Sequence, residues 1–80
     1  MDTFTKPKYW KDMVTRVDTA EAFEGVARAM FEDGKVTPQS MMVLEVFARD
    51  VSRAHPEIRS RVMGCFHRVL HKSFSVYNWL

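Results

Sequence analysis

The stretch 41–51 constrains this chain more than any other. It reads Met41-Met42-Val43-Leu44, then Val46-Phe47-Ala48 and Val51, which is apolar on nearly every side of a helix. A helix with that pattern has to be surrounded by other elements, so it belongs at the centre of the fold. Its limits are marked as clearly as its interior. Thr37-Pro38 offers a capping side chain followed by proline at the first helical position. His55-Pro56 closes it, because the residue before a proline avoids helical geometry.

The rest of the chain supplies partners for that helix. In residues 7–17, Tyr9, Trp10, Met13, Val14 and Val17 recur at intervals of three and four, with Pro7 near the first turn. A second helix begins at Asp18 or Thr19. Glu21 stands at the capping-box distance from Asp18, and Phe23, Val26, Ala27, Met30 and Phe31 form one apolar stripe. Gly34 is its expected end, and Gly25 inside it is expected to mark a close helix crossing. A fourth helix starts at Glu57 and runs to about Ser73, with Ile58, Val62, Met63, Phe66, Val69 and Leu70 on its apolar face. The expected fold is all-α: one domain over residues 1–80, a small three- to four-helix bundle with a central apolar third helix. Residues 1–5 are expected to fray, and 74–80 form an aromatic tail.

Eighty residues limit what such a bundle can do. A domain this size buries only about 60% of the surface of its unfolded chain, so small domains commonly lean on disulfides, metals or partners. Cys65 is the only cysteine, which rules out an intrachain disulfide and suits a reducing compartment. Six Phe, two Trp and two Tyr argue against disorder and raise the expectation that some apolar surface meets a partner. Residues 1–11 have no apolar stretch after their charges, and no run approaches the roughly 18 apolar residues that span a bilayer. A cytoplasmic location away from the membrane is expected.

Chemistry-bearing patterns can be tested one at a time. Asp33-Gly34-Lys35-Val36-Thr37 has the acid, glycine, apolar order found in the middle of an EF-hand calcium loop. With Gly34 at the sixth position, however, Ala29, Phe31 and Ser40 fall where oxygen ligands and a bidentate carboxylate are needed. His67 and His71 lie four apart, a spacing that holds zinc when further ligands arrive, but Arg68 stands where a zinc-peptidase helix carries glutamate. Cys65 sits among apolar residues in mid-helix, where cysteine acts as a small hydrophobe rather than a nucleophile. Neither paired carboxylates on a shared cleft nor a glycine-rich phosphate loop can be identified. The chain therefore reads as a non-enzyme with no metal and no cofactor.

Two surfaces remain. Residues 1–33 hold five Lys/Arg against seven Asp/Glu, and residues 34–80 hold seven against three. Two faces of one bundle attracting each other is the first explanation of that asymmetry. The second is a basic face on the fourth helix, where Ser60, Gly64, His67, Arg68, His71 and Lys72 cluster with Arg61 at the flank and Arg59 nearby. After the turn at 54–56, such a helix suits a helix-turn-helix contact with nucleic acid, although a pI of about 8.9 is modest for that role. The other surface is aromatic: Tyr9 and Trp10 near the start, and Phe74, Tyr77 and Trp79 near the finish, are types enriched at binding hot spots. The preferred expectation is a small adaptor, regulator or inhibitor that binds another protein, as a homodimer, through these aromatics. The alternative is a nucleic-acid-binding regulator that uses the basic face.

Overall fold

The computed structural model describes the backbone of residues 5–32 and 37–79, and side chains as far as residue 71. Among these residues the chain is helical, with no strand: α1 (Trp10–Arg16), α2 (Ala20–Met30), α3 (Pro38–Ala54), a 3-10 turn (Pro56–Ile58) and α4 (Arg59–Trp79). The expected all-α bundle is present. As the sequence indicates, α3 is its hub, packing against α1, α2, the 3-10 turn and α4.

Local chemistry explains most element boundaries. Thr37 and Ser40 cap α3 reciprocally: the Ser40 N–H donates to Thr37 Oγ1 at 3.0 Å, and the Thr37 N–H donates to Ser40 Oγ at 3.0 Å. That arrangement satisfies two of the amides a helix start leaves orphaned, and Pro38 has no amide to satisfy. Thr19 rather than Asp18 caps α2, accepting from the Ala22 N–H at 3.1 Å. The Asp18 N–H instead turns back to the Arg16 carbonyl, which commits that residue to leaving α1. Helix α1 starts at Trp10, three residues later than its periodicity suggests. The Pro7 carbonyl takes the Trp10 N–H in a turn, and no side chain caps the entry. Before α4, the His55-Pro56 pair imposes one tight turn in which the Ile58 N–H reaches the His55 carbonyl at 3.1 Å.

Helix α4 extends to Trp79, past the expected end near Ser73. After Pro56 no proline occurs, and Phe74 and Tyr77 continue the spacing of Val69 and Leu70, so nothing in the chain stops the helix. The stretch 74–79 is helical backbone rather than a separate tail. The end of α2 at Met30 precedes residues 33–36, so the Gly34 cap and the turn compared with a calcium loop lie outside the described residues. The same holds for residues 1–4, most of the segment expected to fray.

The core gathers Trp10 and Val14 from α1, Phe23 and Ala27 from α2, Leu44, Phe47, Ala48 and Val51 from α3, and Val62, Cys65 and Phe66 from α4. Phe47 is the pivot. It stacks on Phe23 with ring centres 5.9 Å apart and meets Trp10 edge-on at 5.2 Å. Burying each such ring is worth about 1.5–3 kcal/mol, a large share of the stability of a domain this small. Gly25 has no part in this packing. It is exposed, and a Cβ built on it meets nothing within 4 Å, so the close crossing expected there is absent. No helix among the described residues is long and apolar enough to cross a membrane.

Candidate functional site

Tyr9 and Trp10 are neighbours in sequence with opposite environments. Tyr9 is 62% exposed, whereas Trp10 is 7% exposed and belongs to the core. The Trp10 indole N–H donates to Asp50 Oδ2 at 2.8 Å, and Lys6 Nζ lies 2.8 Å from the same oxygen. Burial of Trp10 is thus matched by a partner for its one polar atom. This corrects its expected place on an exposed interaction surface. Partial burial works against the Asp50 carboxylate. The hydrogen bonds from Lys6 and Trp10 and the charges of Lys6 and Arg53 outweigh that effect and hold the carboxyl below its ordinary value.

Tyr9 is at the rim of an apolar groove of about 220 Å³ where α1, α2 and α3 meet. Pro7, Met13, Val26, Met30 and Val43 form its walls, and edges of Trp10 and Phe47 close it toward the core. The stripe that gives α1 its Met13 and α2 its Val26 and Met30 is only partly used by α3, and the unused part forms the groove.

The expected basic face of α4 does not act as one surface. Arg59, Arg61, His67, Arg68 and His71 are all exposed, but they look onto different surroundings. Arg61 and Arg68 line a groove between α2 and α4 together with Gly64, and Glu21 and Glu24 of α2 line it too. Opposite charges of the two helices thus line one groove, with no ion pair across it among the described residues. Arg59 instead joins Arg49, Ser52 and Arg53 of α3 around a recess at the α3–α4 corner. The His67 ring lies 5.8 Å from that of Phe66. Among the described residues no group of three or more His, Cys, Asp or Glu side chains comes together. Cys65 is 2% exposed and sits in the core. Phe74, Tyr77 and Trp79 lie on the last turns of α4, and their side chains, like that of Lys72, are outside the described residues.

Two features of these surfaces escaped the sequence reading. Arg49 and Arg53 are four apart on α3, a spacing visible in the sequence that sets them on one face. His55, passed over as a residue ahead of a proline, bonds through Nε2 to the Val14 carbonyl at 2.9 Å. A carbonyl only accepts, so Nε2 carries the proton, and the contact satisfies one of the orphan carbonyls at the end of α1.

Together the fold and its surfaces define a small all-α helical bundle with an apolar groove on one side and arginine-lined recesses on the other. No protein-family model matches the chain, and neither a curated protein nor a solved structure matches it.

Proposed function

We propose that this protein is a non-enzymatic interaction module, a small cytoplasmic adaptor, regulator or inhibitor that binds another protein through the groove between α1, α2 and α3. The observation that carries this reading is the groove itself: it is walled almost wholly by apolar side chains, and Tyr9 stands exposed at its rim. An apolar anchor from a partner helix entering such a groove is a recurrent way for small domains to bind proteins. Tyrosine at the edge adds a large, stiff contact at little entropic cost. A second copy of this chain is the partner to test first. The nucleic-acid alternative through Arg61 and Arg68 has less to support it, because Glu21 and Glu24 share their groove.

Tyr9→Ala tests the reading, because an exposed side chain can be removed without disturbing the core. Tagged wild type and variant are compared by size-exclusion chromatography, for self-association, and by affinity capture with and without nuclease. The expected result is self-association, or a captured protein that survives nuclease, and its loss in Tyr9→Ala. Binding indifferent to Tyr9→Ala, or the absence of both self-association and any captured protein that survives nuclease, overturns the proposal.

A further inference from the structure

Where the end of α3 meets the start of α4, Arg49, Arg53 and Arg59 surround a recess of about 570 Å³ that also takes in Ser52, Pro56 and Met63, with no carboxylate in its lining. Like charges gathered in this way repel one another. The groove between α2 and α4 differs in that Glu21 and Glu24 line it together with Arg61 and Arg68, although Glu24 pairs with Arg28. In the corner recess only Arg49 is in an ion pair among the described residues, with Glu45 at 2.7 Å. Arg53 acts on Asp50 through its charge without an ion pair to it, and Arg59 is in no ion pair among the described residues, so both exposed guanidinium groups can take a further anion.

A second observation points the same way. Ser52 is 8% exposed, and its Oγ is buried without a hydrogen-bond partner. A serine in the middle of a helix commonly returns its hydroxyl to the carbonyl four residues back, here that of Ala48, and Ser52 does not. A buried hydroxyl left unpaired is unfavourable, and an acceptor entering the recess beside the three arginines would relieve it. Rotation about one bond brings the hydroxyl among its staggered positions. Guanidinium forks and a hydroxyl together offer only donors, the complement of phosphate oxygens.

The recess also continues. Arg53 lines a neighbouring one of about 540 Å³ with Lys6, Lys11 and Asp50. There Lys6 neutralises Asp50 at 2.8 Å, which leaves Lys11 and Arg53 as the cations in excess. Each recess has room for more than one phosphate, and Arg53 lines both, so successive phosphates of a chain can pass from one to the other. We propose that this strip binds the phosphate backbone of a nucleic acid duplex, one phosphate seated at Arg53, Arg59 and Ser52 and the following ones passing toward Lys11. Trp10 lines the neighbouring recess but is 7% exposed and packed edge-on against Phe47, and no aromatic ring lines the arginine recess. No ring is therefore presented to stack an unpaired base, and the contact is to the backbone, independent of sequence. This surface is separate from the Tyr9 groove, and neither depends on the other.

The test is binding of a short, fluorescently labelled DNA duplex of mixed sequence, titrated at several salt concentrations, with a phosphoserine peptide as a second probe. Circular dichroism checks that each variant is folded. Arg53→Ala and Arg59→Ala are expected to weaken duplex binding and to reduce the slope of log affinity against log salt by about 0.9 for each phosphate that is no longer neutralised. Ser52→Ala removes a hydrogen bond but no charge, so affinity falls several-fold with the slope unchanged. Arg61→Ala and Tyr9→Ala leave both affinity and slope as they are. Absence of duplex binding at low salt, an Arg61→Ala effect equal to that of Arg53→Ala, or binding of the phosphopeptide in preference to the duplex each overturns the proposal.

Discussion

Trp10 and Asp50, forty residues apart, are joined by a 2.8 Å hydrogen bond that fastens α1 to α3. The carboxylate also receives Lys6 at 2.8 Å, so one oxygen serves an indole and an ammonium together. Charge-assisted bonds of this sort are stronger than neutral ones, although half-exposed Lys6 contributes less than a buried cation does.

This arrangement makes stability depend on acid pH in a defined direction. The folded-state carboxyl of Asp50 lies below its ordinary value of 3.8. The stabilisation it supplies is therefore fully present above that ordinary value. It fades as pH falls below it and through the lowered folded value. Asp50→Asn is expected to cost about 1 kcal/mol at neutral pH and to flatten the fall in thermal midpoint below about pH 4. Thermal unfolding followed by circular dichroism over a pH series measures both effects, and a variant whose profile parallels wild type contradicts the assignment.

Gly25 offers a gain instead of a loss. A Cβ at this exposed position of α2 meets nothing within 4 Å, and the backbone there is helical. Gly25→Ala is expected to stabilise the fold by about 0.5–1 kcal/mol, since alanine restricts the unfolded chain and favours the helix. Chemical denaturation should show a higher midpoint with an unchanged slope. A lower midpoint means that something occupies the space beside α2.

Ser52 separates stability from binding. An unpaired buried hydroxyl carries a penalty of roughly 1–3 kcal/mol, so Ser52→Ala is expected to raise the unfolding free energy by about 1 kcal/mol. The same change is expected to weaken duplex binding. A residue held for packing alone gives destabilisation in the same measurement, and that outcome removes the reason for an external acceptor.

The sequence made some of this legible and hid the rest for physical reasons. The apolar run through Leu44, Phe47 and Val51 announced a central helix, because burial on every side leaves its mark on every turn. The pairing of Thr37 with Ser40 and the break at His55-Pro56 are local events that local residues report. What connects distant residues was not visible. Trp10 appeared as an interface aromatic because Asp50, which makes its burial tolerable, lies forty positions away. Ser52 is ordinary as a letter and informative only once its hydroxyl is seen to lack a partner. Arg59 and Arg61 were grouped because they are close in sequence, whereas the bundle assigns them to different recesses with opposite charge balance. The groove beside Tyr9 exists only where three stripes meet, and no single stripe predicts it.

The bond from His55 to the Val14 carbonyl has a consequence for the order in which the molecule assembles. It spans 41 residues, and the Trp10–Asp50 bond spans 40. Both close a loop containing the whole of α2, and ordering such a loop is entropically unfavourable until its interior is already in place. Neither latch can engage before α3 and the corner after it have taken shape. Helix α1, a short terminal element held by these two latches and its core side chains, is expected to dock late as the chain folds and to lift early as it opens. The groove it forms with α2 and α3 exists only while α1 is docked, so the binding proposed for Tyr9 is expected to be lost whenever that helix lifts.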